Sequence, residues 1–424
     1  MTPDTEKTSI QIDRRVLIGF MAVMFVMNAV LLFIPWKEIM AGKNDFPVFY
    51  SNATMVREGR ADGLYDFNAE NDFVRRVSDV TRPPNNHLPY ELLLFVPLTY
   101  LSFDKAYILW TILSLGMLGG TAILLRSFHE GPSRLSIVLL TILGFFPVWY
   151  CLLQGQDSIL LLFLFALSFS LWRRGNDDAA GFVIAMGLFR PQLVAPFVLI
   201  MLIARKWKFI RGFVPGAVLV TLLSAWVVGL SGMVDYAHVL MSQGTQQSAK
   251  ELSERWTVRP GLMATWRGFL WVCLPPWVPT KVRSCLLLVG TFTGLIYAAK
   301  RMHSAKNTAA FNLAFAISVA VILLVSFHSF LNDFSLMILP LLICAPAIGN
   351  SGLVPTKKAY SMVTLGFLFF LTPLYLLLLS TDSVGWFFLV EVWALWLASH
   401  WRTAVDMGPQ NNMGTARVIS LEVT

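Results

Sequence analysis

Charged residues are scarce in this sequence. They make up 14% of the 424 residues, whereas 56% are hydrophobic; an ordinary soluble domain has about 25% charged residues. This deficit excludes a water-soluble domain as the main part of the chain. The net charge of +8 comes largely from Lys and Arg in short loops, a pattern typical of a cytoplasmic membrane face. It does not indicate a nucleic-acid partner.

Cysteine clusters and nucleotide-binding motifs are also missing. The cysteines show no C-x-x-C spacing and lie mostly inside apolar segments, at Cys151, Cys273, Cys285 and Cys344. This argues against a zinc site or a disulfide framework. No G-x-G-x-x-G follows a strand pattern, and no D-x-D pair stands in the polar segments, so we expect no nucleotide-binding domain, no metal and no cofactor.

Long apolar runs are abundant instead. Residues 16–36 carry no charge and are long enough for a bilayer core, which needs about 20 apolar residues. No small-residue cleavage site follows a short apolar core, so this run is interpreted as an anchored first helix rather than a signal peptide. Further apolar segments span residues 88–103, 105–125, 135–150, 157–172, 179–204, 212–231, 281–299, 308–330, 333–348, 359–380 and 384–400. We predict an all-α polytopic membrane protein with about 12 transmembrane helices.

Basic clusters indicate the orientation of the chain. They lie beside the apolar segments, at Arg14–Arg15, Arg205–Arg211, Lys300–Arg301, Lys357–Lys358 and in the tail from Arg402. Because basic loops stay in the cytoplasm, we expect cytoplasmic N- and C-termini. The two longest polar segments, residues 37–87 and 232–280, then form outer loops of a single integral-membrane domain, residues 1–424.

One part of this topology stays open. A strict count of crossings places the RRGNDD loop (173–178) outside, against the tendency of basic residues. It also places the QGQDS turn (154–158) on the cytoplasmic side. In the alternative, residues 88–103, which are short and contain two prolines, only dip into the membrane. We favour the strict count.

An isolated carboxylate follows the first apolar run, in the stretch AGKNDFPVFY. Pro47 suits the first turn of a helix. Asp45 then lies at or just before the helix start, where the helix dipole favours a negative charge. Two interpretations stay open: Asp45 is a plain N-cap, or it is a catalytic group.

Arg190 lies inside an apolar segment, where ionisable residues usually mark function. It precedes Pro191 in LFRPQL, and the broken helix there must line protein or a water-filled cavity. The guanidinium suits a phosphate group. The alternative is a structural pair with Gln156 or Asp157.

His328 also lies in an apolar segment, near its expected outer end and on the same side as Asp45. The alternative to a functional role is a histidine satisfied by Asn332 or Asp333, which follow closely. The polar outer segments supply further candidates for contact with an acceptor or a phosphate group, namely Lys43, Asn86, His87 and Arg259.

Several stretches together resemble one enzyme family. They are EGRADGLYD (58–66), HLPYELLLFVPLTYL (87–101), LLQGQDSILLLFLFAL (152–167), GFVIAMGLFRPQLVAPFVLIMLIARKWK (181–208) and SFHSFLNDFSLMILPLL (326–342). In this order, and with Asp45 after the first apolar helix, they resemble the polyprenyl-phosphate-mannose-dependent glycosyltransferases of family 87. The resemblance implies a GT-C fold and a hexosyltransferase of the bacterial plasma (inner) membrane. Such an enzyme moves mannose from a lipid-linked sugar donor to a lipid or glycan acceptor.

The resemblance also implies roles for individual residues. Asp45 is the general base that takes the proton of the acceptor hydroxyl, and the reaction inverts the sugar. His328 lies near the donor phosphate or the acceptor, with Asp333 orienting it. The family usually has Lys before the proline; Arg190 departs from this but keeps the charge. The expected substrate-binding residues are Tyr50, His87, Gln156, Arg190, Gln192, Arg259, Asn332 and Asp333.

A transporter or flippase of lipid-linked saccharides is the alternative function. It would use the same intramembrane Arg and His, but it predicts inverted repeats with broken helices at matching positions in both halves. The sequence shows one clear break, at Arg190–Pro191, and no counterpart. This favours the enzyme.

Overall fold

The computed structural model describes residues 14–81, 87–128, 134–244, 259–349 and 356–399, and these are helical and connected by turns, with no strand among them. The predicted all-α class is confirmed. The α-helices are α1 (Arg14–Phe33), α2 (Trp36–Met40), α3 (Phe46–Arg57), α4 (Phe67–Val74), α5 (Leu92–Phe95), α6 (Phe103–Leu125), α7 (Arg134–Gly144), α8 (Phe146–Gln154), α9 (Ser158–Arg173), α10 (Asp177–Ala185), α11 (Pro191–Ile203), α12 (Trp207–Gly244), α13 (Trp266–Cys273), α14 (Thr280–Ser304), α15 (Thr308–Val325), α16 (Ile338–Gly349), α17 (Thr356–Phe370), α18 (Thr372–Ser380) and α19 (Phe387–Ser399).

Five of these helices, α1, α6, α12, α14 and α15, are long and apolar enough to cross a membrane. Two bent pairs raise the number to seven: α7 with α8, bent by 66°, and α17 with α18, bent by 56°. A proline near the start of α8 and of α18 accounts for both bends, because it cannot continue the hydrogen bonding of the preceding helix. The chain is therefore a multi-pass membrane protein.

Three predicted segments differ from the structure. Residues 88–103 form short helical turns rather than one long helix. The apolar run 179–204 is two helices, α10 and α11, separated by the turn that holds Arg190. Helix α12 continues past residue 231 to Gly244, with a kink at Gly229 (φ 71°), so the first part of the predicted loop 232–280 is helical. A helix can continue through polar residues, which a hydropathy window does not detect.

Basic residues lie together at one end of the molecule, in segments 173–174, 205–211 and 300–301. We call this end the basic face. At this end the Trp172 ring stacks on Phe209 with a centroid distance of 4.7 Å. Arg211 forms an exposed salt bridge with Asp178, with a shortest distance of 2.6 Å. The C-terminal ends of α9, α11 and α14 therefore meet the N-terminal ends of α10, α12 and α15 at this face.

Glycines allow α10 and α12 to lie in direct backbone contact. A Cβ atom at Gly212 would lie 1.8 Å from the Asp178 carbonyl oxygen, and one at Gly181 would lie 2.0 Å from the Phe209 carbonyl oxygen. Small residues permit this close approach of helices in membranes. The packing fixes the start of α10 and thereby the turn at its other end, which carries Arg190.

Candidate active site

Asp45 occupies the N-cap position of α3, but its side chain makes no capping hydrogen bond. The carboxylate oxygen Oδ2 instead accepts a hydrogen bond of 2.8 Å from Nε2 of Gln156. The Asp45 backbone N–H donates to the Gln154 carbonyl oxygen at 3.1 Å. Asp45 therefore lies directly against the QGQDS turn, so the two share one face of the molecule, whereas the strict count placed them on opposite sides of the membrane.

The turn itself is shaped by Gly155, which ends α8 in the left-handed conformation with φ 64°. A Cβ atom at this glycine would lie 2.7 Å from Cβ of Phe46. Close by, Nδ2 of Asn44 donates to the Leu153 carbonyl oxygen at 3.2 Å. Glycine thus permits the start of α3 to rest on the turn, and this contact brings Asp45 to Gln156.

Arg190 lies in the turn between α10 and α11 and is buried. Its Nε donates to Oδ1 of Asp157 at 2.9 Å, and a terminal nitrogen donates to both Asp157 and Gln156. The other terminal nitrogen lies 3.4 Å from Oδ1 of Asp333. The alternative interpretation of Arg190, a structural pair with Gln156 or Asp157, predicted these contacts. Contact between Arg190 and a donor phosphate stays a prediction.

Asp333 follows α15 and is also fully buried in this network. It accepts a hydrogen bond of 2.8 Å from the Ser158 hydroxyl, and Asn332 donates to that hydroxyl at 3.2 Å. Its second oxygen accepts from the Phe330 backbone N–H at 3.4 Å. Asp333 therefore joins Arg190 and Ser158, and within the described ranges no hydrogen bond joins it to His328, which we expected it to orient.

His87 meets the network from the other side. Its Nδ1 lies 2.6 Å from Glu91 and 3.5 Å from Oδ2 of Asp157. Burial, reinforced by the charge of Arg190, lowers the pKa of His87 to about 3. Burial also raises the pKa of Glu91 well above its usual value, and the Asp157 carboxylate adds to this shift. His87 is therefore neutral near pH 7, and burial favours the protonated form of Glu91.

The same three side chains could hold a metal ion. One ligand atom from each of His87, Glu91 and Asp157 lies within 4.8 Å of the others. Carboxylate oxygens and a neutral imidazole nitrogen are suitable ligands for divalent cations. The absence of a metal thus stays a prediction, which removal of metal ions by a chelator would test.

His328 lies just beyond α15, with its ring edge-on to Phe330 at a centroid distance of 4.9 Å. Burial lowers the pKa of His328 well below its usual value, with further contributions from the nearby charges of Arg190 and Arg267. The imidazole is therefore neutral near pH 7. The terminal guanidinium nitrogen NH1 of Arg267 donates to the adjacent Phe327 carbonyl oxygen at 2.8 Å.

The remaining predicted residues lie at different distances from this network. Gln192 is buried and follows Arg190 in the first turn of α11. Tyr50 points elsewhere: its hydroxyl donates to the Leu101 carbonyl oxygen at 2.8 Å, and its ring packs on Phe103. Arg259 pairs with Asp382 at 3.3 Å in an exposed salt bridge. Phe49, not Tyr50, approaches His87, with ring centroids 5.5 Å apart.

Two outer-segment candidates remain. Lys43 is exposed, and its backbone N–H donates to the Glu38 carbonyl oxygen at 2.9 Å. Asn86 lies outside the described residues.

Three residues of the site were not predicted from the sequence. Glu91 is a charged residue inside the apolar run HLPYELLLF, and this signal could have identified it. Ser158 and Arg267 gave no comparable signal, because a serine after a turn and an arginine beside tryptophans are common near membranes.

The sequence and structure of the chain were compared with known proteins to determine its family. No match was found among curated proteins or among solved structures. The profile of glycosyltransferase family 87 matches residues 89–326, more than half of the chain. This range includes Gln156, Asp157 and Arg190, whereas His328 lies just after it and Asp45 lies well before its start. The resemblance seen in the sequence motifs is thereby confirmed: this multi-pass membrane protein is a glycosyltransferase and belongs to family 87.

Proposed function

We propose that the chain transfers mannose from a polyprenyl-phosphate donor to a lipid or glycan acceptor, with inversion at the anomeric carbon. The observation that carries this proposal is the Asp45 carboxylate. It stands at a helix start without capping the helix, and Gln156 orients it. A carboxylate held in this way is suited to remove a proton from a hydroxyl group.

In the proposed reaction, Asp45 takes the proton of the acceptor hydroxyl as the hydroxyl oxygen attacks the anomeric carbon. The bond from that carbon to the phosphate oxygen breaks, and polyprenyl phosphate leaves with the bonding electron pair. No covalent sugar–enzyme intermediate forms, so one essential carboxylate suffices, in contrast to the paired carboxylates of glycoside hydrolysis. Neutral His328 and Gln192 supply hydrogen bonds to the substrates.

Arg190 acts in this proposal as a positioning residue. Its guanidinium group binds Gln156 and Asp157 together, and Gln156 in turn binds Asp45. The charge of Arg190 is balanced by the carboxylates of Asp157 and Asp333. This network supports a fixed position for the base, which is a requirement for efficient proton transfer.

We also propose a topology of roughly twelve crossings in a GT-C fold, revised in two places. Residues 88–103 stay near the outer surface, and α10 and α11, which at 9 and 13 residues are shorter than a full bilayer span, pass separately between the basic face and the turn that carries Arg190. The crossings are then α1, α6, α7 with α8, α9, α10, α11, α12, α14, α15, α16, α17 with α18, and α19. The support is electrostatic, since this order brings the RRGNDD loop to the cytoplasmic side with the other basic clusters. Both termini are then cytoplasmic, in a bacterial inner membrane.

A reconstituted assay tests the proposed function against the transporter alternative. Purified protein in liposomes receives polyprenyl-phosphate mannose labelled in the sugar, together with mixed membrane-lipid acceptors. We expect the label to appear in a new glycolipid or glycan at a rate that depends on both substrates. Movement of intact donor across the bilayer without transfer would overturn the proposal in favour of a flippase.

A further inference from the structure

Arg267 differs from the other arginines around the site. It is the second residue of α13, is partly buried, and donates through NH1 to the Phe327 carbonyl oxygen at 2.8 Å. Among the residues that the structure describes, no carboxylate lies within salt-bridge distance of it, whereas Arg190 has Asp157 and Asp333. Within this described part of the chain, the charge of Arg267 thus has no carboxylate partner, and it acts on His328 nearby.

This position is electrostatically unfavourable for a cation. The N-terminus of a helix carries a partial positive charge, so an arginine in the first turn of α13 is repelled rather than stabilised. Burial adds a desolvation cost, which lowers the pKa of Arg267 from its usual value. A partly buried cation with these two disadvantages is typical of a site that binds an anion.

We propose that Arg267 binds the phosphate group of the lipid donor, an inference that rests on the proposed function. One terminal nitrogen is held by the Phe327 carbonyl oxygen, which fixes the plane of the guanidinium group. The planar group can present further N–H donors to two phosphate oxygens at once. As the sugar leaves, negative charge grows on the phosphate oxygen, and Arg267 stabilises it. Neutral His328 cannot supply this charge.

The test measures lipid binding separately from sugar transfer. The full chain in nanodiscs is titrated with a polyprenyl monophosphate that carries no sugar, and with the uncharged polyprenol of the same chain length. We expect Arg267→Gln to weaken binding of the monophosphate by about 10- to 100-fold and to leave polyprenol binding unchanged. Arg267→Lys, which keeps the charge but not the planar group, should give an intermediate loss.

Arg283→Gln is the matched control. Like Arg267, Arg283 donates to a backbone carbonyl oxygen, that of Pro275 at 2.6 Å; its guanidinium group lies near the ring of Trp271. We expect its removal to change the binding of neither lipid. Equal losses for both lipids in Arg267→Gln would indicate a structural role and overturn the inference, as would unchanged monophosphate binding. If wild-type protein binds the monophosphate but transfers no sugar, the proposed function fails while the phosphate site stands.

Discussion

Asp45 and Arg190 show how far residue type and sequence position determine a role. The sequence places Asp45 at a helix start and Arg190 at a helix break, and the structure places both there. The sequence offered Gln156 as a possible partner of Arg190 but did not identify it as the partner of Asp45, because these contacts join three segments that are distant along the chain. Burial and pairing therefore distinguish a plain N-cap from an oriented carboxylate, and neither is visible in a single sequence.

At the residue scale, we expect Arg190→Lys to reduce sugar transfer by about 100-fold. A lysine cannot hold Gln156 and Asp157 together, so Asp45 loses its fixed position. Because a buried acceptor loses its donor, the free energy of unfolding should fall by about 1–3 kcal/mol. Initial rates and thermal unfolding in detergent provide the measurement.

Arg211→Lys is the control for this change, since Arg211 forms an exposed pair with Asp178 on the basic face. Exposed pairs contribute at most about 1 kcal/mol. We expect wild-type rates from this variant. Equal rates for both variants would contradict the positioning role of Arg190.

A second prediction at this scale concerns metal ions. We expect transfer to continue after exhaustive treatment with a chelator, because Arg190 already neutralises Asp157, one of the three possible ligands. The measurement is the initial rate before and after chelation. Loss of activity that Mg²⁺ or Mn²⁺ restores would contradict this expectation and would indicate the site formed by His87, Glu91 and Asp157.

Long apolar helices were predicted more accurately from the sequence than short helices and turns. Segments such as α6 and α15 are long, apolar and uninterrupted, and their positions follow from hydropathy alone. The run 179–204 is also apolar on average, yet it contains a turn that carries Arg190. A window of this length averages over such a turn. The elements that form the site were thus the hardest to delimit, because they are short and broken.

At the element scale, we expect Gly155→Ala to reduce both stability and transfer. The left-handed backbone costs alanine about 1–2 kcal/mol. Overpacking against Phe46 adds about 1–3 kcal/mol and displaces α3, which carries Asp45. Thermal unfolding and initial rates measure the two effects.

Gly59→Ala separates the two causes. Gly59 has a similar φ of 71°, but nothing lies within 4 Å of the position that a Cβ atom would take. The Gly59→Ala variant should therefore lose stability only because alanine disfavours the left-handed backbone, and it should keep wild-type activity. A Gly155→Ala variant as active as Gly59→Ala would show that the contact with Phe46 does not position the base.

The whole molecule has two dissimilar ends, with basic residues at one and the buried polar network toward the other. The sequence predicted a basic cytoplasmic end from charge, and the direct contact of Gln156 with Asp45 puts the QGQDS turn on the same face as Asp45, where the strict count had separated them. The RRGNDD loop lies beside the basic cluster 205–211, through the pair of Arg211 with Asp178, and the cytoplasmic placement of both stays a prediction.

Cysteine labelling tests this polarity. In a background with the four native cysteines replaced, we expect a cysteine at Asn176 to react with a membrane-impermeant reagent only after the membrane is opened. A cysteine at Asp62, in the first outer loop, should react in intact cells. The measurement is the labelled fraction of each variant, and labelling of position 176 from outside would contradict the revised topology.

The central claim is that Asp45 takes the proton of the acceptor. Single-turnover transfer from preloaded lipid-linked donor measures it most directly, comparing wild type with Asp45→Asn and with Asp66→Asn. Asp66 is an N-cap whose side chain does accept a capping hydrogen bond, from the Ala69 N–H, and asparagine caps equally well. We predict a rate about 10²- to 10⁴-fold lower for Asp45→Asn and a wild-type rate for Asp66→Asn. A wild-type rate from Asp45→Asn would contradict the account.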